Sequence, residues 1–100
     1  MPTFFMRVEV YGPARVDYNE LHAELAERLI YGTVEVNGAL ENLPDGSYVT
    51  NDLATVDEVM NAIQAALRAL GRQAGVVVAP IDAAAGGLKI SNLRPTVEEE

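Results

Sequence analysis

The sequence predicts a single α+β domain with the element order βαββαβ. Three observations carry this. A run of strict period-two alternation opens the chain, two segments show helical apolar spacing, and each of those segments lies between stretches that read as strands. That order is the one of a ferredoxin-like sandwich, an antiparallel sheet with two helices on one face. Residues 3–93 fit one such domain, and 94–100 form an acidic tail for which disorder is expected.

Residues Thr3 to Tyr11 alternate. Phe4, Met6, Val8 and Val10 fall on one side, with Phe5, Arg7, Glu9 and Tyr11 on the other. A charged second face predicts a half-exposed strand, stopped by Gly12-Pro13. A helix is expected over Tyr18 to Ile30. Asp17 and Glu20 have the spacing of a capping box, Leu21, Leu25 and Leu29 recur on one face, and Gly32 can supply the left-handed C-terminal turn.

Thr33 to Asn37 reads as the second strand, and Asn37-Gly38 suits a two-residue hairpin turn. Ala39 to Leu43 can return as a short strand. Pro44-Asp45-Gly46 reads as another turn, and Ser47 to Asn51 as the next strand. Whether this middle region is one bent hairpin or an extra β-ribbon stays open. The second helix is signalled more strongly. Thr55 and Glu58 form a capping box, Val56, Val59, Met60, Ile63, Leu67 and Leu70 form one apolar stripe, and Gly71 ends it. Val76-Val77-Val78-Ala79 is wholly apolar and β-branched, which predicts a strand buried on both sides, with Pro80 limiting its pairing. Ala83 to Gly87 reads as a connection, and Leu88-Lys89-Ile90 as a further short strand.

Charge narrows the function classes. The net charge is −8, and with Glu98, Glu99 and Glu100 set aside twelve acidic residues still face seven basic ones, or −5. Nucleic-acid affinity depends on Lys and Arg neutralising phosphates, so an RNA site here would have to be local. An acidic surface more naturally meets a basic partner. The chain has no cysteine, which excludes disulfides and thiolate chemistry. No apolar run approaches the roughly 18–20 residues of a membrane span, and no secretory leader is evident, so a cytoplasmic protein is expected.

Few side chains can carry chemistry. His22 is the only histidine, and its chemistry would be acid–base work in RNA cleavage, with Arg7 or Arg28 steadying the phosphate. Phe5, Glu9 and Tyr11 share the Arg7 face of the first strand and form a candidate binding row, the setting in which RNA-recognition sheets stack bases. A dimer interface on that face is the competing reading. Glu20, Glu24 and Glu27 lie on one helix face, but Glu24 and Arg28 have ion-pair spacing, and a solvated face is the expected role. There is no zinc spacing, no phosphate-binding glycine loop and no GxSxG turn, so no metal or cofactor is expected.

The residues resemble a family of small bacterial and phage proteins related to the type V antitoxin GhoS. The matching pieces are Phe5-Met6-Arg7-Val8-Glu9-Val10, Tyr18-Asn19-Glu20-Leu21-His22, Leu43-Pro44 with Ser47-Tyr48-Val49, and Gly75-Val76-Val77-Val78-Ala79. Together they cover about residues 3 to 93. The resemblance implies a ferredoxin-like fold and, as in GhoS, an endoribonuclease acting on a toxin's messenger RNA. No catalytic residue is carried over from the family. Arg7, His22 and Arg28 are candidates from their chemistry alone. Three readings therefore stand at this point. One is a GhoS-like RNA-cleaving or RNA-binding domain acting on single-stranded RNA. Another is a non-enzymatic acidic module, such as a phage-encoded inhibitor or nucleic-acid mimic, that occupies a basic protein partner. The third is a structural or oligomerising domain with no chemistry of its own. A homodimer is expected through exposed sheet edges.

Overall fold

The computed structural model describes residues 2–12 and 18–81. The elements run β1 (Thr3–Val10), α1 (Tyr18–Ala26), β2 (Thr33–Val36), β3 (Ala39–Asn42), β4 (Ser47–Thr50), α2 (Val56–Leu70) and β5 (Ala74–Ile81). The expected Asp17 cap, the connection after residue 82, the strand at Leu88-Lys89-Ile90 and the acidic tail all lie outside the described residues.

The architecture is α+β. A three-stranded antiparallel sheet has the order β4-β1-β5, and β2 and β3 form a separate two-stranded ribbon. Among the described residues β2 and β3 stay out of the main sheet, so the extra ribbon is the alternative that holds. One antiparallel bridge, Tyr31 to Val49, links the chain ahead of β2 to β4. It carries two hydrogen bonds: Tyr31 N–H donates to the Val49 carbonyl at 3.0 Å, and Val49 N–H donates to the Tyr31 carbonyl at 2.9 Å. Beyond Tyr31 the chain departs from the sheet and pairs with β3 instead, Thr33 opposite Asn42 through Val36 opposite Ala39. Asn37 and Gly38 turn this ribbon with φ of 53° and 82°, the two positive values that a type I′ turn requires.

β1 has the expected alternation. Phe4, Met6, Val8 and Val10 are buried under both helices, joined by Leu21, Leu25, Ile30, Tyr48, Val59, Ile63, Ala66 and Leu67. The register places Met6 opposite Tyr48 on one side and opposite Val78 on the other, so inward residues of all three strands share one core face. The helices both pack on that face.

α2 follows its local signals. Thr55 Oγ1 accepts from Glu58 N–H at 3.1 Å, and Glu58 Oε1 accepts from Ala54 N–H at 2.8 Å, one residue before the usual reciprocal donor. Gly71 closes the helix at φ 66°, with Arg72 N–H donating to the Leu67 carbonyl. Val56 is the exception in the apolar stripe, standing exposed at the first turn.

Two expectations are corrected. α1 stops at Ala26 rather than Ile30, and Leu29, not Gly32, takes the left-handed conformation, at φ 71°. Ile30 N–H reaches back to the Leu25 carbonyl at 3.0 Å, and Ile30 is fully buried. Burying that side chain turns the backbone out of the helix early. The second correction concerns β5. Val77 is 66% exposed, and Val76 and Val78 are half-buried, so the strand is covered on one face only. Its outer edge pairs with no strand among the described residues. Pro80 does not end it, since the strand continues to Ile81.

Candidate functional site

His22 sits beside the core rather than in it. Leu21 and Leu25 are the buried residues of α1, which turns the His22 side chain toward the flank of the sheet. There it meets Tyr48 edge-on, with ring centroids 5.4 Å apart and planes at 79°. Tyr18, one turn earlier, has its ring centroid 6.5 Å from the imidazole. The chain between the bridge and β2 passes close to the same rings. A side-chain carbon at Gly32 would stand 3.6 Å from Tyr48 Cε1 and 3.9 Å from His22 Nε2.

These elements leave a cleft of about 460 Å³ between α1 and the ribbon. Its walls include His22, Tyr31, Gly32, Thr33, Asn42 and Asp45. Asp45 is held at the rim by a tight turn. Ser47 N–H donates to the Pro44 carbonyl at 2.9 Å, and Gly46 takes φ 86°, as a type II turn demands. The ribbon is tied back beside it, with Leu43 N–H donating to the Gly32 carbonyl at 2.8 Å.

Tyr48 lies behind the cleft. It is fully buried, and its hydroxyl has no hydrogen-bond partner among the described residues. Burial pushes the phenol's pKa well above its ordinary value. Neighbouring Tyr18 and Asp45 add to the rise, and Arg7 partly offsets it. The group stays neutral and is no nucleophile or base at ordinary pH.

The three candidate catalytic residues are not assembled. Arg7 and His22 approach the same loop from different directions. Arg7 projects from the exposed face of β1, and its Nη1 donates to the Asp45 carbonyl. His22 lines the cleft that Asp45 also lines. Arg28 belongs elsewhere. Its Nη1 lies 2.9 Å from Glu24 Oε1 and 2.7 Å from the Glu24 carbonyl, and it does not line the cleft. The cleft thus has an imidazole and a carboxylate among its lining groups. No guanidinium among the described residues lines it to neutralise a phosphate.

The candidate binding row also separates. Phe5, Arg7, Glu9 and Tyr11 do share the face away from the helices. Phe5 is half-buried between Val49 and Ala79 in the register, while Arg7 lies between Ser47 and Val77. Glu9 stands opposite Gly75. The Tyr11 hydroxyl lies over Gly75, within 2.5 Å of where a side-chain carbon there would sit, and the Tyr11 carbonyl accepts from Arg72 Nη2 at 3.1 Å. The row is a continuous surface, with Arg7 drawn to the turn at one end and Tyr11 laid down at the other. Among the described residues no group of acidic or histidine side chains could hold a metal ion, and Glu20, Glu24 and Glu27 form no such site.

Sequence reasoning missed Tyr31, Asn42, Asp45 and Tyr48 as site residues. The one available signal was an aromatic at an inward-facing strand position in a chain with a single histidine. Comparison with protein-family models, with curated proteins and with solved structures returns no match. No described helix is long and apolar enough to cross a membrane.

Proposed function

We propose that this chain is a non-enzymatic binding module that presents an acidic surface to a basic protein partner, on a ferredoxin-like scaffold of the GhoS-related kind. One observation carries the reading. The described residues contain ten acidic side chains and four arginines. Three of those arginines are engaged internally, Arg7 and Arg72 on backbone carbonyls and Arg28 on Glu24. Arg28–Glu24 is the one ion pair among the described residues. Glu9, Glu20, Glu27, Glu35, Asp45, Asp52 and Asp57 stand exposed and form no ion pair among the described residues. Such a surface attracts a positive partner and repels phosphate. The ferredoxin-like assignment is supported by the β4-β1-β5 order and by the Tyr31–Val49 bridge, which would mark where the fourth strand peels away.

The GhoS-like endoribonuclease remains the second reading, favoured by the position of His22 on an open cleft. The separation of Arg28 from that cleft and the engagement of Arg7 weigh against it.

The test is affinity capture from host lysate at low and high salt, with bound protein and bound RNA both identified and the captured protein then purified and rebound. The expected result is one basic protein that rebinds and leaves at high salt. Shortening of RNA by the purified chain, abolished in both Arg7→Ala and His22→Ala, would replace this reading with the nuclease.

A further inference from the structure

We infer that the cleft between α1 and the β2–β3 ribbon receives an arginine side chain of the partner. This rests on the binding role proposed above and assigns its anchor point. The volume of about 460 Å³ lies within the ordinary range of built ligand sites. Two rings, His22 and Tyr31, line it, and neither ring packs face to face with another aromatic among the described residues. Tyr31 is 38% exposed, so its ring is reachable from solvent. Among the described residues the Asp45 carboxylate makes no hydrogen bond or ion pair, while its own backbone carbonyl is fixed by Arg7. Asn42 and Thr33 add neutral polar groups along the wall, and Gly32 keeps the floor low.

A guanidinium matches this set. Its flat faces stack on aromatic rings, and its fork of N–H donors pairs with a carboxylate. Charge selects the same occupant. Among the described residues Asp45 is the one Asp, Glu, Lys or Arg that lines the cleft, and Arg7, bound to the Asp45 carbonyl, does not line it. A nucleotide could use the same rings, but its phosphate would meet the Asp45 carboxylate, and no arginine among the described residues lines the cleft to offset it. A lysine would satisfy the carboxylate and leave the ring faces and Asn42 less well used.

The experiment titrates the isotope-labelled full chain with acetyl-Gly-Arg-Gly-amide and follows backbone amide shifts. Citrulline and lysine versions of the peptide and guanosine monophosphate serve as the other probes. The expected result is saturable movement of Gly32, Thr33, Asn42 and Asp45 with the arginine peptide, at a dissociation constant of about 1 mM. The citrulline peptide and the Asp45→Asn variant should each bind about tenfold more weakly. Asp45 is an exposed turn residue whose fold contact is made by its carbonyl, so this variant keeps the turn. Tyr31→Leu, which retains the backbone bridge, should also weaken binding. Equal binding of arginine and citrulline peptides, movement of amides elsewhere only, or stronger saturation by guanosine monophosphate would overturn the inference. A basic partner captured equally well by wild type and Asp45→Asn would leave the binding module standing and remove this anchor. Saturable arginine binding without any salt-sensitive partner would do the reverse.

Discussion

The Tyr48 ring stands edge-on to His22 at 5.4 Å, yet its hydroxyl is buried with no partner. The ring contributes packing and the oxygen contributes a desolvation penalty. Tyr48→Phe should therefore leave stability unchanged or raise it by about 1 kcal/mol in chemical denaturation. A loss greater than that would mean the hydroxyl has a partner in solution.

The same phenol sets an alkaline limit. Its folded pKa lies above the unfolded value near 10, so the folded state holds its proton more tightly. Below pH 10 both states are protonated and nothing changes. Above pH 10 the unfolded chain loses its proton first, and stability falls by up to about 1.4 kcal/mol per pH unit. Denaturation midpoints measured from pH 9 to 12 should show this fall in the wild type. They should show it reduced in Tyr48→Phe.

Leu29 holds a left-handed conformation at the end of α1 that glycine would adopt without strain. Leu29→Gly should raise stability by about 0.5–1 kcal/mol, since the side chain is 43% exposed and little packing is lost. A decrease in the thermal midpoint would show that the exposed leucine packs more than its accessibility suggests.

Two glycines should respond very unequally to alanine. At Gly46 a side-chain carbon would lie 2.7 Å from the Val8 carbonyl oxygen, and φ is 86°. Gly46→Ala should cost about 2–4 kcal/mol. At Gly75 the obstruction is the hydroxyl tip of exposed Tyr11, which can swing aside. Gly75→Ala should stay within about 0.5 kcal/mol of wild type, as strand propensity offsets the displacement. Urea unfolding of both variants in parallel checks the contrast.

Thr55→Ala removes the oxygen that accepts from Glu58 N–H and should lower stability by about 1 kcal/mol. Thr55→Asp should restore it, as read by the helical circular-dichroism signal during melting.

The legible parts of the fold were those with local causes. Thr55, Glu58 and Gly71 declare α2 within its own sequence, and Asn37-Gly38 declares the hairpin. Period two places the inward face of β1. The end of α1 was not legible, because Leu29 has helical spacing. What stops the helix is burial of Ile30 and the hydrogen bond from Thr50 Oγ1 to the Leu29 carbonyl at 2.7 Å, both long-range. The exposed face of β5 was hidden for another reason, since an unbroken apolar run does not say which side is covered. The site was legible only as His22. Asp45 and Tyr48 reach it through the turn and register of β4, from more than twenty positions along the chain. The separation of Arg28 from His22 follows from its pairing with Glu24, whose i, i+4 spacing was plain in the sequence.

The central position of β1 bears on how the chain is made. Its neighbours are β4 and β5, and Thr3 meets Ile81 in the register. A nascent chain carrying β1, α1 and the ribbon has its middle strand with neither flank in place. The sheet closes only after residue 81 has left the ribosome, and until then Phe4, Met6 and Val8 lack the β5 side of their sheet. Assembly therefore waits on a pairing between the first and last described strands, which places folding at the slower end for a mixed domain of this size. During that interval the opening strand is the segment that a chaperone would hold.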